Sequence, residues 1–76
     1  MSSKDKLLKN IQNNPKNVSF EDLKKVLEQN GFILDRAKGS HHTFYKGDIT
    51  ITIPYKKPIK EVYVKMALIY IKGNNQ

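Results

Sequence analysis

The stretch Ile49-Thr50-Ile51-Thr52-Ile53 alternates a branched apolar residue with a hydroxylated one, and Pro54 follows it. Side chains alternate across a strand, so the isoleucines fall on one face and the threonines on the other. Such a strand is dry on one side and wet on the other, as in an antiparallel sheet with a single covered face. Pro54 lacks the amide hydrogen that a ladder needs and closes the strand. The remainder of the chain must therefore extend this sheet and cover its isoleucine face.

Two further strands are legible upstream. Phe32 to Lys38 and His41 to Lys46 are separated by Gly39-Ser40, and Gly47-Asp48 separates the second from the isoleucine strand. Short glycine-containing links favour hairpins, which predicts an antiparallel meander. Ahead of it, Ser19 is followed three positions later by Asp22, with Glu21 alongside, a capping-box-like start with acids at the positive end of the helix dipole. Phe20, Leu23, Val26 and Leu27 share one face of the helix so begun, and Asn30-Gly31 stops it, predicting a helix over 20–29.

The C-terminal run from Val62 to Ile71 is mixed. Val62-Tyr63-Val64 favours a strand by propensity, whereas Lys65-Met66-Ala67-Leu68 favours a helix. The run is long for a strand in so small a sheet, and it reads as a helix with Val62, Met66 and Ile69 on one face and Tyr63 and Tyr70 adjoining. Leu7, Leu8 and Ile11 predict a short extra helix between Lys4 and Asn13, ended by Asn13-Asn14-Pro15-Lys16-Asn17.

The resulting order is α, α, β, β, β, α: an α+β domain with a three-stranded antiparallel sheet and helices on one face. A chain of 76 residues holds one such domain. Residues 1–17 read as an N-terminal extension with the short helix, 18–72 as the domain, and 73–76 as a flexible tail. The chain has no cysteine, so neither a disulfide framework nor a thiolate metal site is available, as suits a reducing cytoplasm. No run approaches the roughly 20 apolar residues of a membrane span, and no apolar segment follows the charged start as a secretory signal requires. The chain is read as cytoplasmic.

Charge narrows the function. Fourteen Lys and Arg stand against seven Asp and Glu, a formal net charge of +7. Such a surface attracts polyanions, of which nucleic acid is the commonest. An anionic membrane is the rival, but it asks for a basic amphipathic helix or a lipid-attachment signal, and neither end shows an N-terminal Gly or a C-terminal Cys motif. Lys38, Lys46, Lys56 and Lys57 lie near the sheet in sequence. Lys56-Lys57 sits between Tyr55 and Pro58, a basic loop with an aromatic that can meet nucleic-acid backbone and base; plain solubility is the competing reading.

His41 and His42 are the residues best suited to chemistry. Being adjacent in a strand, they point to opposite faces. His42 shares parity with Ser40 and Phe44, His41 with Thr43 and Tyr45, so parity alone leaves open which ring is wet. An imidazole exchanges protons near neutral pH. On RNA it can take the ribose 2′-OH proton as that oxygen attacks phosphorus, while an acid protonates the departing 5′ oxygen. A placed base contributes about 10²–10⁴ in rate, and cations stabilise the developing charge. A surface or partly packed histidine without chemistry is the bland reading. Asp35 and Asp48 have no ligand spacing with either histidine, so no metal site and no cofactor is expected.

The run Lys38-Gly39-Ser40-His41-His42-Thr43-Phe44, followed by Ile49-Thr50-Ile51-Thr52-Ile53-Pro54, resembles the signature of HicA toxins. Val18-Ser19-Phe20 through Gly31-Phe32 is similar to that family's first helix and its exit. In the family pattern a glycine and a serine are followed by one variable residue and then the catalytic histidine. Gly39 and Ser40 match the pair, His41 the variable place and His42 the histidine, with His41 as fallback. The resemblance covers residues 18 to about 70. It implies a double-stranded-RNA-binding-domain-like αβββα fold and a metal-independent endoribonuclease (an mRNA interferase). It further implies the toxin of a type II toxin–antitoxin system acting in stress response, with mRNA as substrate and a HicB-type antitoxin as partner. Gly39 then allows close backbone approach, and Ser40 either bonds a phosphate or caps the hairpin. The chain departs from the pattern before its last helix, where many relatives carry glycine and threonine and it has Pro58-Ile59-Lys60-Glu61-Val62. A non-catalytic RNA-binding module of the same fold and a domain that meets an acidic protein are the competing functions.

Overall fold

Ser3–Asn13 form helix α1, Phe20–Gln29 form α2 and Glu61–Gly73 form α3. Between α2 and α3, Ile33–Lys38, His41–Lys46 and Ile49–Pro54 form strands β1, β2 and β3 of one antiparallel sheet, in that spatial order. This computed structural model describes residues 3–73. The α+β order is the one the sequence predicts. Residues 74–76 of the expected tail lie outside the described residues, and Gly73 closes α3.

Helix α2 begins and ends where its caps dictate. The Asp22 N–H donates to Ser19 Oγ at 3.1 Å, and Ser19 is itself extended. At the other end Gly31 takes φ +94°, its N–H donates to Glu28 O at 3.1 Å, and the Phe32 N–H donates to Leu27 O at 2.9 Å. These two bonds form a Schellman motif, which turns the chain from helix into β1. Lys46, at the end of β2, completes the arrangement. Its Nζ donates to Asn30 O at 2.8 Å and lies 5.9 Å from the centre of the Phe32 ring. A cation belongs at a helix C-terminus, where carbonyls lack partners. The sequence grouped Lys46 with the nucleic-acid-contacting lysines, but its ammonium is committed to this cap.

The core forms between one sheet face and the helices. Phe44, Ile51 and Ile53 supply the sheet side; Phe20, Leu23, Val26 and Leu27 supply α2, as their spacing predicts. From α3 come Val64, Ala67 and Ile71, and from α1 comes Ile11. Val18 and Ile59 are buried and paired, with the Ile59 N–H donating to Val18 O at 2.9 Å, which ties the entries of α2 and α3 together. The buried stripe of α3 differs from the expected one: Val62 and Ile69 are 66% and 68% exposed. Apolar residues surround this helix, so its composition allows more than one stripe to face inward. Ala67 is small enough to bring the helix close.

Residues paired across the sheet share a face, and Phe44 pairs Ile51 while His42 pairs Ile53. Thr43 pairs Thr52 on the opposite face, where their hydroxyls lie 3.2 Å apart. Isoleucine and threonine are thus segregated as the alternation predicts. Both hairpins turn on two residues, with Gly39 at φ +60° and Gly47 at φ +58°. Positive φ at the first turn position suits the twist of paired strands and favours glycine. In β1 the register slips between Leu34 and Arg36, leaving Asp35 as an extra residue.

Two substitutions test this packing. Phe44→Ala should destabilise the domain by about 3–5 kcal/mol through the cavity it leaves. Lys46→Ala should cost about 1–2 kcal/mol by removing a charged donor from the α2 terminus. Urea unfolding midpoints, at unchanged slope, measure both.

Candidate active site

No polar or charged side chain is buried among the described residues. Any chemistry must therefore be done at the surface. Of the residues singled out in the sequence, Lys38, Gly39, Ser40, His41 and His42 lie at the end of the sheet where β1 turns into β2. Gly39 and Ser40 are that turn, and the Ser40 carbonyl is its hub. It accepts the Tyr55 N–H at 2.6 Å, which fastens the chain leaving β3 to the turn. It also lies 3.1 Å from His42 Nδ1. A carbonyl can only accept, so Nδ1 carries the proton in this contact, and Nε2 of the neutral ring is then an acceptor.

His42 occupies the helix-covered face of the sheet, at its margin, and is half-buried. Its ring lies 4.5 Å, centre to centre, from Phe20, the first residue of α2, at 51°. Tyr55 packs 5.1 Å from the same Phe20 ring and donates its hydroxyl to Glu21 Oε2 at 3.3 Å. The Tyr55 ring, which the sequence offered as one that can meet a base, with plain solubility as the competing reading, is thereby turned toward α2. The charged group joined to this aromatic cluster is a carboxylate.

His41 has the opposite surroundings. It is exposed on the open face, paired with Lys38 of β1 and Pro54 of β3. The next row on that face holds Arg36, Thr43 and Thr52. The bulge at Asp35 puts both cations there. Without the extra residue, Arg36 and Lys38 would share parity with Leu34, which pairs Phe44 on the core face. Asp35 approaches Arg36 Nε at 3.7 Å, both side chains being well exposed, a contact worth little in water.

Lys56 and Lys57 are exposed in the loop after Pro54, held beside the turn by the Tyr55–Ser40 bond. The structure thus gathers Lys38, Gly39, Ser40 and His41 at one end of the sheet, whereas Lys57 lines a hollow with Asn17, Ser19, Glu21 and Asp22 at the start of α2. Lys46 stands at the other end of β2. Arg36 and the Thr43–Thr52 pair were not singled out by sequence, because a bulge leaves no clear mark in the residue pattern.

Among the described residues no group of three or more His, Asp or Glu side chains comes together as a metal site, and no helix is long and apolar enough to cross a membrane. A family model described as the HicA toxin of bacterial toxin–antitoxin systems matches residues 20–72, from the first residue of α2 almost to the end of α3. No curated protein and no solved structure matches the chain. The matched span contains the whole sheet, the Gly39–Ser40 turn and both histidines, and it exceeds half of the sequence. The chain belongs to the HicA family of toxins of bacterial toxin–antitoxin systems.

Proposed function

We propose that this chain is a metal-independent endoribonuclease that cleaves mRNA as the toxin of a type II system, in the cytoplasm, and that a HicB-type antitoxin silences it. The observation that carries the reading is an exposed imidazole, His41, paired beside Lys38, with Arg36 in the next row of the same open face. A ribonuclease needs a group that takes the 2′-OH proton and cations that stabilise charge on the phosphate. The 2′ oxygen forms a bond to phosphorus, the bond from phosphorus to the 5′ oxygen breaks, and the leaving oxygen takes a proton. The products are a 2′,3′-cyclic phosphate and a 5′-hydroxyl end.

The resemblance assigns the base to His42 and keeps His41 as fallback. Their surroundings favour His41. His42 offers a fixed ring with a bare Nε2, but it lies among Phe20, Tyr55 and, through Tyr55, the Glu21 carboxylate. That cluster brings no cation to the His42 ring. His41 faces Lys38 on an open surface with Arg36 one row away, which attracts a phosphodiester. In this reading His42 is a positioning residue: its stack on Phe20 and its bond to Ser40 fix the backbone that presents His41. Gly39 leaves space at the turn, since nothing lies within 4 Å of where its Cβ would be. A non-catalytic RNA-binding module remains the second reading, because the same cations would bind RNA without cutting it.

Purified protein should cut single-stranded RNA in EDTA and leave cyclic phosphate ends. His41→Ala should lower the rate by about 10²–10⁴ while leaving the unfolding midpoint in place. His42→Ala should reduce both rate and stability. Loss of cutting in His42→Ala alone, with His41→Ala fully active, would return the base to His42. Binding without any cutting by the intact chain would leave the module reading. Titrating RNA affinity against salt should show a slope near −0.7 per phosphate neutralised. Lys56→Ala with Lys57→Ala should flatten that slope by about 0.7 for each phosphate that then keeps its counterions, whereas Lys46→Ala should leave it unchanged.

A further inference from the structure

The open face of the sheet carries a patch that the chemistry at His41 does not use. Tyr45 lies on that face four residues beyond His41 in β2, paired with Ile33 on one side and Thr50 on the other. Tyr45 is 38% exposed and Ile33 54%. A Tyr–Ile pair across two strands stabilises the sheet modestly, and it also leaves an aromatic ring and an aliphatic side chain facing water side by side. Neither residue belongs to the core. The row between this patch and His41 holds Arg36, Thr43 and Thr52.

We propose that this face is a platform for single-stranded RNA, with Tyr45 stacking a base two nucleotides from the ribose that His41 engages. The inference rests on the ribonuclease reading and extends it by naming the face on which the strand lies and a residue that binds it. His41, Thr43 and Tyr45 are alternate residues of one strand, each about 7 Å from the next, so the platform runs about 14 Å from base to imidazole. Neighbouring nucleotides of an extended strand are spaced on a similar scale. Arg36 and Lys38 flank the track from β1 and meet the phosphates. The apolar Tyr45–Ile33 patch accepts the flat face of a base, which stacks on aromatic rings with little regard to identity. Sheets with exposed aromatics bind unpaired bases in this way. A duplex hides its base faces and gains nothing from Tyr45. The carboxylates near the track are Asp35, drawn to Arg36 at 3.7 Å, and Asp48 in the turn beyond Lys46.

The test uses a labelled, fully 2′-O-methylated single-stranded oligonucleotide, which cannot be cut, and reads affinity by anisotropy. Tyr45→Ala should weaken binding by about 5- to 100-fold, and Tyr45→Phe should retain it. An abasic nucleotide walked along the probe should weaken the intact protein at one position and leave Tyr45→Ala indifferent there. A duplex of the same sequence should bind Tyr45→Ala and the intact chain alike. Equal affinity of Tyr45→Ala and the intact chain for the single strand would overturn the platform while leaving cleavage at His41 untouched. Failure of the intact chain to bind any oligonucleotide would sink both readings.

Discussion

A chain this short has enough apolar surface to cover a sheet on one side only. That limit organises the molecule. Phe44, Ile51 and Ile53 take the covered face, α2 and α3 close over them, and α1 adds Ile11 to the same core. The other face is left to water and carries threonines, a tyrosine and cations. A two-sided sheet would have no place for a polymer to lie. A one-sided sheet yields a rigid surface as a by-product of folding, because strands held by an adjoining core do not move when something lands on their free side.

Adjacent histidines exploit this division. Being next to one another in β2, they inherit opposite environments from the sheet itself. His42 is pinned by Phe20 and by the Ser40 carbonyl, and the same carbonyl holds the Tyr55 N–H. The first turn of α2, the β1–β2 turn and the exit from β3 are therefore fastened around one point. That fastening fixes the backbone of His41 on the far side without occupying its ring. Fixing the backbone through the neighbouring residue leaves the His41 ring exposed on the open face.

Much of this was legible in the residues. Ser19 with Asp22 and Asn30 with Gly31 bracket α2, because caps are local chemistry between residues a few positions apart. The Ile–Thr alternation fixed the faces of β3 for the same reason. Three features were not legible, each because it depends on residues far apart in sequence. Lys46 caps a helix that ended sixteen residues earlier, at Asn30. Helix α3 is apolar around much of its circumference, so the choice of Val64, Ala67 and Ile71 over Val62 and Ile69 is made by what it packs against. The Asp35 bulge is set by pairing with β2, yet it decides the side on which Arg36 and Lys38 fall. Without it the histidine would stand on the open face without those two cations.

The same rigidity bears on control. Enzymes regulated from within usually have an element that moves over the site, such as a lid or a loop released by a ligand. Here His41, His42, Lys38 and the Gly39–Ser40 turn lie on paired strands and a two-residue turn, braced by a core to which every described helix contributes. Little in such a framework can open or close. In the proposed reading such a site needs no rearrangement to act, and a surface of this kind is restrained most directly by a second molecule that covers it. A chain with seven surplus positive charges favours an acidic partner for that task, since opposite charge speeds encounter. Membership of a toxin–antitoxin family is what this physical arrangement calls for: a fixed, open, cationic site whose off-state is supplied from outside.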